Sequence, residues 1–199
     1  MRAPAVIILI LTAVLCAPSS RPTGPPGAAL ARGMQLVYAS GGTEQPPWVV
    51  ESIERPATIG GRTDCARISL RMAPPPAAPE MRAWCVRDGV LIAFVDSTAT
   101  FRLLRPVGPR MSLDVPRSAG GLVRYETGEM EKANVGASTF DVLPTTVTTI
   151  DGDGRAIRML RERYALALTT AVNGEFETAD TTREGGWRVT QEFRLVAIR

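Results

Sequence analysis

The sequence predicts a mostly β domain: a single antiparallel, strongly curved sheet folded as a sandwich or half-open barrel, with at most one short helix. Three observations predict it. Apolar and polar residues alternate with a period of two along several segments. Asp-Gly pairs separate apolar runs at hairpin spacing, and Gly or Pro bounds most of the short runs. Together these features are typical of antiparallel sheets.

Residues 1–19 are predicted to be a signal peptide. Arg2 precedes "APAVIILILTAVLCA", an apolar run of about 15 residues that ends at Pro18 and is followed by small residues. A transmembrane helix needs roughly 20 apolar residues, so we expect no membrane span in the mature chain. We favour cleavage after Ser19, with cleavage after Cys16 or Ala31 as alternatives. The expected location is the periplasm or the medium.

A lipid anchor at Cys16 is disfavoured, because Leu15 stands where lipoprotein signals have Gly, Ala or Ser. The next segment, residues 20–33, is rich in Pro, Gly and Ala and is predicted to be a flexible lead. Residues 34–199 are then long enough for one β-rich domain with its own core.

The charge distribution argues against nucleic-acid binding. Arg2, Arg21 and Arg32 precede Glu44, the first acidic residue, so residues 33 to 199 carry 20 basic and 20 acidic side chains. The net charge of +3 therefore belongs to the leader. A nucleic-acid binder shows a basic stripe, whereas here arginines are interleaved with Asp and Glu.

Cys65 and Cys85 are predicted to form a disulfide bond. In an exported chain they are an even pair, and Pro74–Pro76 lie in the connection between them. A zinc site needs more soft ligands, and a redox pair usually has the spacing C-x-x-C. We expect the bond at the margin of the sheet, with Cys85 the more buried partner.

Strands are expected in the following order. The segment "ARISLRM", residues 66–72, alternates; "MRAWCVRDGVLIAFVD" forms a hairpin at Asp88-Gly89 that places Cys85 opposite Ile92. A second hairpin turns at "DGDG", residues 151–154. Residues 156–171 combine helical spacing with strand-like alternation, so both interpretations stay open, with strand preferred. In "WRVTQEFRLVAI", one buried face is expected to hold Trp187, Val189, Phe193, Leu195 and Ala197.

Several stretches resemble bacterial exported β-rich proteins of unknown function. They are "GMQLVYASGG", "PWVVESIE", "VGASTFDVLPTTVTT", "RERYALALTTAVNGEFET" and the final "QEFRLVAIR". Those families are similar in shape to periplasmic lipoprotein carriers. The resemblance implies a curved sheet and an envelope setting, and it implies no catalytic residues.

The residue types exclude common chemistries. The chain has no histidine, so Ser-His-Asp and Cys-His nucleophile arrangements are absent and the commonest metal ligand is missing. Glycine pairs occur without the context that phosphate binding needs, and "DGDG" lacks the later ligands of a calcium loop. We expect no cofactor and no metal.

Aromatic side chains are the remaining candidates for a site. They either line an apolar cavity for a lipid or other hydrophobic ligand or form the core: Trp48, Trp84, Phe94, Tyr164, Trp187 and Phe193. The expected function is a non-catalytic envelope protein that binds such a ligand or a partner chain on a curved β-surface. The alternative is a carboxylate-dependent hydrolase that uses a pair among Asp141, Asp151, Asp153, Glu162 and Glu175.

Overall fold

One antiparallel sheet contains every strand of the described chain. The structure is a computed structural model that describes residues 27–59, 62–72, 80–95, 100–180 and 186–199. Within these ranges it has fourteen strands and no helix. The strands are β1 Met34–Ser40, β2 Thr43–Glu44, β3 Trp48–Ile59, β4 Arg62–Met72, β5 Glu80–Arg87, β6 Val90–Val95, β7 Thr100–Pro106, β8 Ser112–Pro116, β9 Leu122–Thr127, β10 Glu131–Val135, β11 Ser138–Ile150, β12 Ala156–Ala165, β13 Thr170–Asp180 and β14 Gly186–Ile198.

The sheet is barrel-shaped and nearly closed, with one unsealed seam. Its main path of twelve strands runs β7-β6-β5-β4-β3-β1-β14-β13-β12-β11-β9-β8, while β2 pairs with β1 and β10 pairs with β11. The edge strands β7 and β8 face each other across the seam. They contact each other without forming a ladder in the described residues. The predicted fold class, a single curved antiparallel sheet, is confirmed.

The connection between β7 and β8 holds one end of the seam together. The Thr127 hydroxyl donates to the Gly108 carbonyl oxygen at 2.7 Å and accepts from the Met111 amide at 2.8 Å. The Thr127 amide donates to the Met111 carbonyl at 2.9 Å, and the Arg110 amide donates to the Gly128 carbonyl at 3.1 Å. This end of the seam is therefore bridged by hydrogen bonds to the end of β9.

Strands β9 and β10 lie one after the other along the same edge of β11. Pro144 of β11 lies between the residues that pair with β10 and those that pair with β9. Its carbonyl accepts from the Gly128 amide at 2.9 Å, so its nitrogen faces the same side, where no ladder bond is needed. A proline is compatible with this inner strand because it lies at the break between two partners.

Both predicted hairpins are confirmed. Asp88 and Gly89 have φ of 51° and 74°, as a two-residue turn of this kind requires, and Cys85 lies opposite Ile92. At the second turn the Asp151 carboxylate accepts from the backbone amides of Asp153 and Arg155. Residues 156–171, for which helix and strand were both open, form strand β12, a turn and the first residues of β13.

The expected single buried face of β14 is wrong. The register between β13 and β14 shifts between Phe176 and Glu177, which interrupts the period of two. Phe193 and Leu195 belong to the core on one side of this bulge, whereas Val189 on the other side is 47% exposed. A bulge inserts one residue, so strict alternation could not predict which face each half of the strand presents.

The core has two parts. The larger cluster fills the interior and includes Leu36, Val50, Ile68, Trp84 and Leu195. The smaller cluster lies on the face of β5 opposite Trp84; it contains Cys65, Ala83, Cys85 and Ile92.

The predicted disulfide bond joins Cys65 and Cys85, whose Cα atoms lie 4.3 Å apart. Its expected position was wrong, because both cysteines are fully buried, with 2% and 3% exposure. Their shared cluster with Ala83 and Ile92 explains the burial. Pro74–Pro76, within the closed loop, lie outside the described residues.

The segment before β1 also contacts the sheet. The amides of Gly27 and Ala29 donate to the carbonyls of Leu166 and Ala167 at 3.1 and 3.0 Å, and Leu30 is buried in the interior cluster. Residues 1–26 lie outside the described part, as do the predicted signal peptide, Cys16 and the first half of the predicted lead.

Removing the disulfide should destabilise the protein without changing its fold. The bond spans a sequence separation of 20. In the chain-entropy model, closing such a loop contributes about 3 kcal/mol. We expect the double variant Cys65→Ala/Cys85→Ala to lose about that much free energy of unfolding, measured with urea, and to keep the far-ultraviolet circular dichroism of the wild type. Reductant should weaken the wild type by a similar amount and leave the variant unaffected; equal sensitivity of both proteins would contradict the assignment.

Candidate functional site

A buried ion pair crosses the interior of the sheet. Arg105, on the edge strand β7, contacts Glu162 on β12 through Nη2 and Oε1. The two side chains are only 10% and 4% exposed. Burying two charges is costly unless they are paired, so this contact must form whenever β7 packs against the interior.

Two tyrosine rings flank the guanidinium. The Arg105 Cζ atom lies 3.9 Å from the ring centroid of Tyr164 and 5.9 Å from that of Tyr125. Both distances are in the range of cation–π attraction. Burial lowers the pKa of Arg105 and raises the pKa values of both tyrosines. The guanidinium nevertheless stays charged, because arginine starts from so high a value and faces a carboxylate.

The ion pair leaves hydrogen-bonding capacity unused. Nη2 of Arg105 and Oε1 of Glu162 contact each other, whereas Nε of Arg105 has no hydrogen-bond partner among the described residues. Buried polar atoms normally have a partner, since leaving one unsatisfied costs about 1–3 kcal/mol. The interior therefore contains one buried donor, Arg105 Nε, without a hydrogen-bond partner among the described residues.

An apolar cavity lies next to this pair. It has a volume of about 270 Å³. Its deep wall consists of Val107, Leu143 and Tyr164, which are all buried. The exposed Thr139 and the half-exposed Asp141 mark the side near solvent. The remaining lining comes from Ala29, Met130, Phe140, Leu166 and Ala167.

The cavity and the ion pair occupy successive layers of the interior. Leu143 pairs with Tyr164 in the cavity layer, and Thr145 pairs with Glu162 in the next layer. Val107, which directly follows β7, lies in the first layer, and Arg105 on β7 lies in the second. Residues two apart on a strand share a face and lie about 6.6 Å from each other. Tyr164 contacts both layers, because its ring lines the cavity and stacks on Arg105.

A second, larger groove of about 610 Å³ lies on the opposite face of β12 to β14. Arg161, Glu175 and Glu192 are cross-strand neighbours there, and all three are exposed. Arg161 pairs with the buried Glu177. The groove is open and its charges are solvated, so it offers neither the enclosure nor the desolvation that a small-ligand site uses.

The predicted cavity aromatics are dispersed. Of the six, only Tyr164 lines the interior cavity and only Phe193 lines the outer groove. Trp84 is buried in the core, Trp48 packs against it, and Trp187 lies in neither pocket. The side chain of Phe94 lies outside the described residues.

The five carboxylates of the hydrolase alternative occupy separate environments. Asp141 pairs with Lys132, and Asp151 caps its own turn, which also holds Asp153. Glu162 faces the interior, whereas Glu175 is exposed on the opposite face. Glu162 and Glu175 both border the outer groove, but their side chains lie on opposite faces of the sheet, so the two carboxylates do not face each other there.

The described part of the chain has neither a cluster of metal-ligating side chains nor a helix fit to span a membrane. Among the described residues, no three or more His, Cys, Asp or Glu side chains are grouped so as to hold a metal ion. Across the same ranges, no helix has the length and hydrophobicity that crossing a membrane would require.

Sequence reasoning did not find Arg105. Its neighbours Leu104 and Pro106 give no sign of a buried cation. Glu162 offered the better signal, since the period of two in "RMLRERYALAL" places it on the apolar face with Leu160 and Tyr164. A carboxylate on an apolar face requires a cationic partner, although the pattern does not say which one.

The comparisons with known proteins do not extend this description. No protein-family model matches the chain, and it has no significant match among the curated proteins or the solved structures. The resemblance to exported β-rich families therefore stays a prediction.

Removing one partner of the interior ion pair should lower the free energy of unfolding far more than replacing both partners with apolar residues. We expect Arg105→Met to lower the free energy of unfolding by about 3–5 kcal/mol, because Glu162 is left buried and unpaired. The double variant Arg105→Met/Glu162→Leu should recover most of the loss. Urea unfolding in a double-mutant cycle measures this. Arg124→Met is the control, since Arg124 forms an exposed pair with Asp114 and its loss should change little. Additive effects of the two interior substitutions would contradict the pairing.

All three tyrosine side chains should lose their protons at a higher pH than free tyrosine does. The chain has three tyrosines, and burial raises the pKa of each one. A raised pKa means that the folded protein holds its phenolic protons more tightly, so stability is full below about pH 10, the unfolded value, and falls as the pH rises beyond it. Tyrosinate absorbance should therefore appear above that value together with loss of structure. Reversible titration near pH 10 without unfolding would contradict the burial.

Proposed function

We propose that the protein is exported to the cell envelope, performs no catalysis and binds a small apolar ligand in the interior cavity. The observation that carries the proposal is the cavity itself, which is walled by Val107, Leu143 and Tyr164 and reaches solvent beside Thr139. A cavity of about 150 Å³ lined by apolar side chains is enough to bind benzene. The volume of about 270 Å³ suits a somewhat larger compound, such as a short alkyl chain.

Export is supported by the signal peptide that the sequence predicts for residues 1–19 and by the disulfide, since such bonds persist in oxidising compartments. Binding is supported by the shape of the sheet, because curvature with an unsealed seam leaves space that flat packing would fill. Burial of the ligand's apolar surface supplies the binding free energy, at about 0.8 kcal/mol for each CH₂ group.

The hydrolase alternative has one observation in its favour. Glu175 and Glu192 lie directly opposite each other on adjacent strands in the outer groove. Directly opposed like charges are normally unfavourable in a sheet. Both side chains are exposed, however, and a catalytic acid of this kind needs burial to raise its pKa. We therefore prefer the binding function.

The test is stabilisation by 1-octanol. We expect the alcohol to raise the melting temperature of the wild type in a saturable way, by an amount equivalent to about 2.7 kcal/mol at 100 times the dissociation constant. The variant Ala29→Leu places a larger side chain on the cavity wall and should weaken binding at least tenfold.

Ala28→Leu provides the matched control. Ala28 is the exposed neighbour of Ala29 in the same segment and does not line the cavity. Its variant should bind 1-octanol as the wild type does. If both variants bound equally well, or if no stabilisation of the wild type were seen, the ligand would not occupy this cavity.

A further inference from the structure

An apolar row lies on the interior face of the sheet, on the far side of the buried ion pair from the cavity. Leu160 is two residues from Glu162 on β12, in the direction away from Tyr164. Residues two apart share a face of a strand, so Leu160 faces the interior as Glu162 does. The apolar row consists of Leu160 and its neighbours in register: Leu113 on β8, Tyr125 on β9, Val147 on β11 and Phe176 on β13. The layer of Glu162 therefore separates this row from the cavity.

The apolar row is accessible to solvent. None of its five side chains is fully buried, and Phe176 is 40% exposed. None belongs to either core cluster or to the partly buried side chains that pack against the clusters. The row crosses five neighbouring strands, a distance of about 19 Å at the usual spacing between strands. A contiguous apolar surface that the core does not cover is typical of a binding site.

Two arginines border the apolar row at its outer end. In the next row along the same face, Arg158 on β12 and Arg188 on β14 lie on either side of Thr178 on β13. Both arginines are exposed, and neither forms an ion pair or a side-chain hydrogen bond within the described residues. The next carboxylate on this face of β13, that of Asp180, has another partner. Arg158 and Arg188 are two strand spacings apart, about 10 Å, so both guanidiniums can contact one group above Thr178.

The apolar row and the two arginines together determine which ligand fits. Two unpaired cations beside an apolar surface complement a molecule that has one anionic group and one apolar tail. The guanidinium fork matches the geometry of a carboxylate or a phosphate. Both features lie on the inner, concave face of the sheet, which a flat membrane surface does not reach. A single molecule in solution is therefore the occupant that fits.

We propose that the protein has a second binding site, which takes one molecule of an anionic single-chain amphiphile. The alkyl tail lies along the apolar row, and the carboxylate or phosphate head group accepts hydrogen bonds from Arg158 and Arg188. The layer of Arg105 and Glu162 lies between this site and the cavity. The inference goes beyond the function proposed above and does not depend on it.

The first experiment compares three probes with the same ten-carbon chain by calorimetric titration at neutral pH. They are decanoate, which is anionic; 1-decanol, which is neutral; and decylammonium, which is cationic. The whole protein carries Ala29→Leu, so that the cavity does not contribute. We expect decanoate to bind about tenfold more tightly than 1-decanol, as one hydrogen bond to a charged group allows. Decylammonium should bind most weakly, because the arginines repel it.

Two pairs of variants in the wild-type background locate the site. Arg188→Gln should weaken decanoate binding about tenfold. Its matched control is Arg194→Gln, an exposed arginine on the same strand that lines the outer groove, and this variant should bind as the wild type does. Phe176→Ala should also weaken decanoate binding about tenfold. Its control is Val189→Ala, since Val189 is 47% exposed on the opposite face and should contribute nothing.

The outcomes separate the second site from the cavity. If decanoate does not bind, or if Arg188→Gln and Arg194→Gln bind it equally, this inference is overturned and the cavity proposal is unaffected. If Ala29→Leu weakens decanoate binding and Phe176→Ala does not, decanoate occupies the cavity and the second site fails. Binding of the protein to vesicles that contain phosphatidylglycerol, without binding of dissolved decanoate, would assign the arginines to a membrane surface and overturn it as well.

Discussion

The ion pair between Arg105 and Glu162 is the constraint on which the closed shape of the sheet depends. It joins the edge strand β7 to β12, which lies several strands away along the path of the sheet. A charge at the edge of a sheet would ordinarily face water. The Arg105 side chain points into the interior instead. Strand β7 can therefore pack against the interior only when Arg105 pairs with the Glu162 carboxylate, because burying an unpaired charge is costly.

Two weaker features act together with this pair. The Thr127 hydroxyl and the backbone of residues 108–111 bridge one end of the seam. Tyr125 and Tyr164 flank the guanidinium and keep its surroundings dry. The seam therefore needs no continuous ladder between β7 and β8, and the interior retains room for a cavity at the bridged end.

Local signals predicted the parts of the fold that are local. Asp88-Gly89 and the turn at residues 151–154 specify hairpins through their own backbone preferences. The bond between Cys65 and Cys85 was predicted because an exported chain would retain these two cysteines as an even pair. The bulge in β14 leaves no mark in the alternation, so the face of Val189 was predicted wrongly. The site was harder still, because it joins Arg105 and Glu162 from strands that are not neighbours in the sheet. Their meeting depends on how strongly the whole sheet curves, which no single segment encodes.

The pairing of β1 with β14 has a consequence for how the chain folds. Gln35 and Arg199 exchange backbone hydrogen bonds of 2.8 and 3.0 Å, so residues from opposite ends of the chain meet in the middle of the sheet. Along the rest of the main path, neighbouring strands follow one another closely in sequence. Two meanders, β1 to β7 and β8 to β14, can therefore form from local contacts.

Joining the two meanders requires closure of a loop that spans nearly the whole described chain, and such distant contacts slow folding. A circularly permuted chain that began at β8 and ended at β7 would lay down the same sheet as one sequential meander, with contact order greatly reduced.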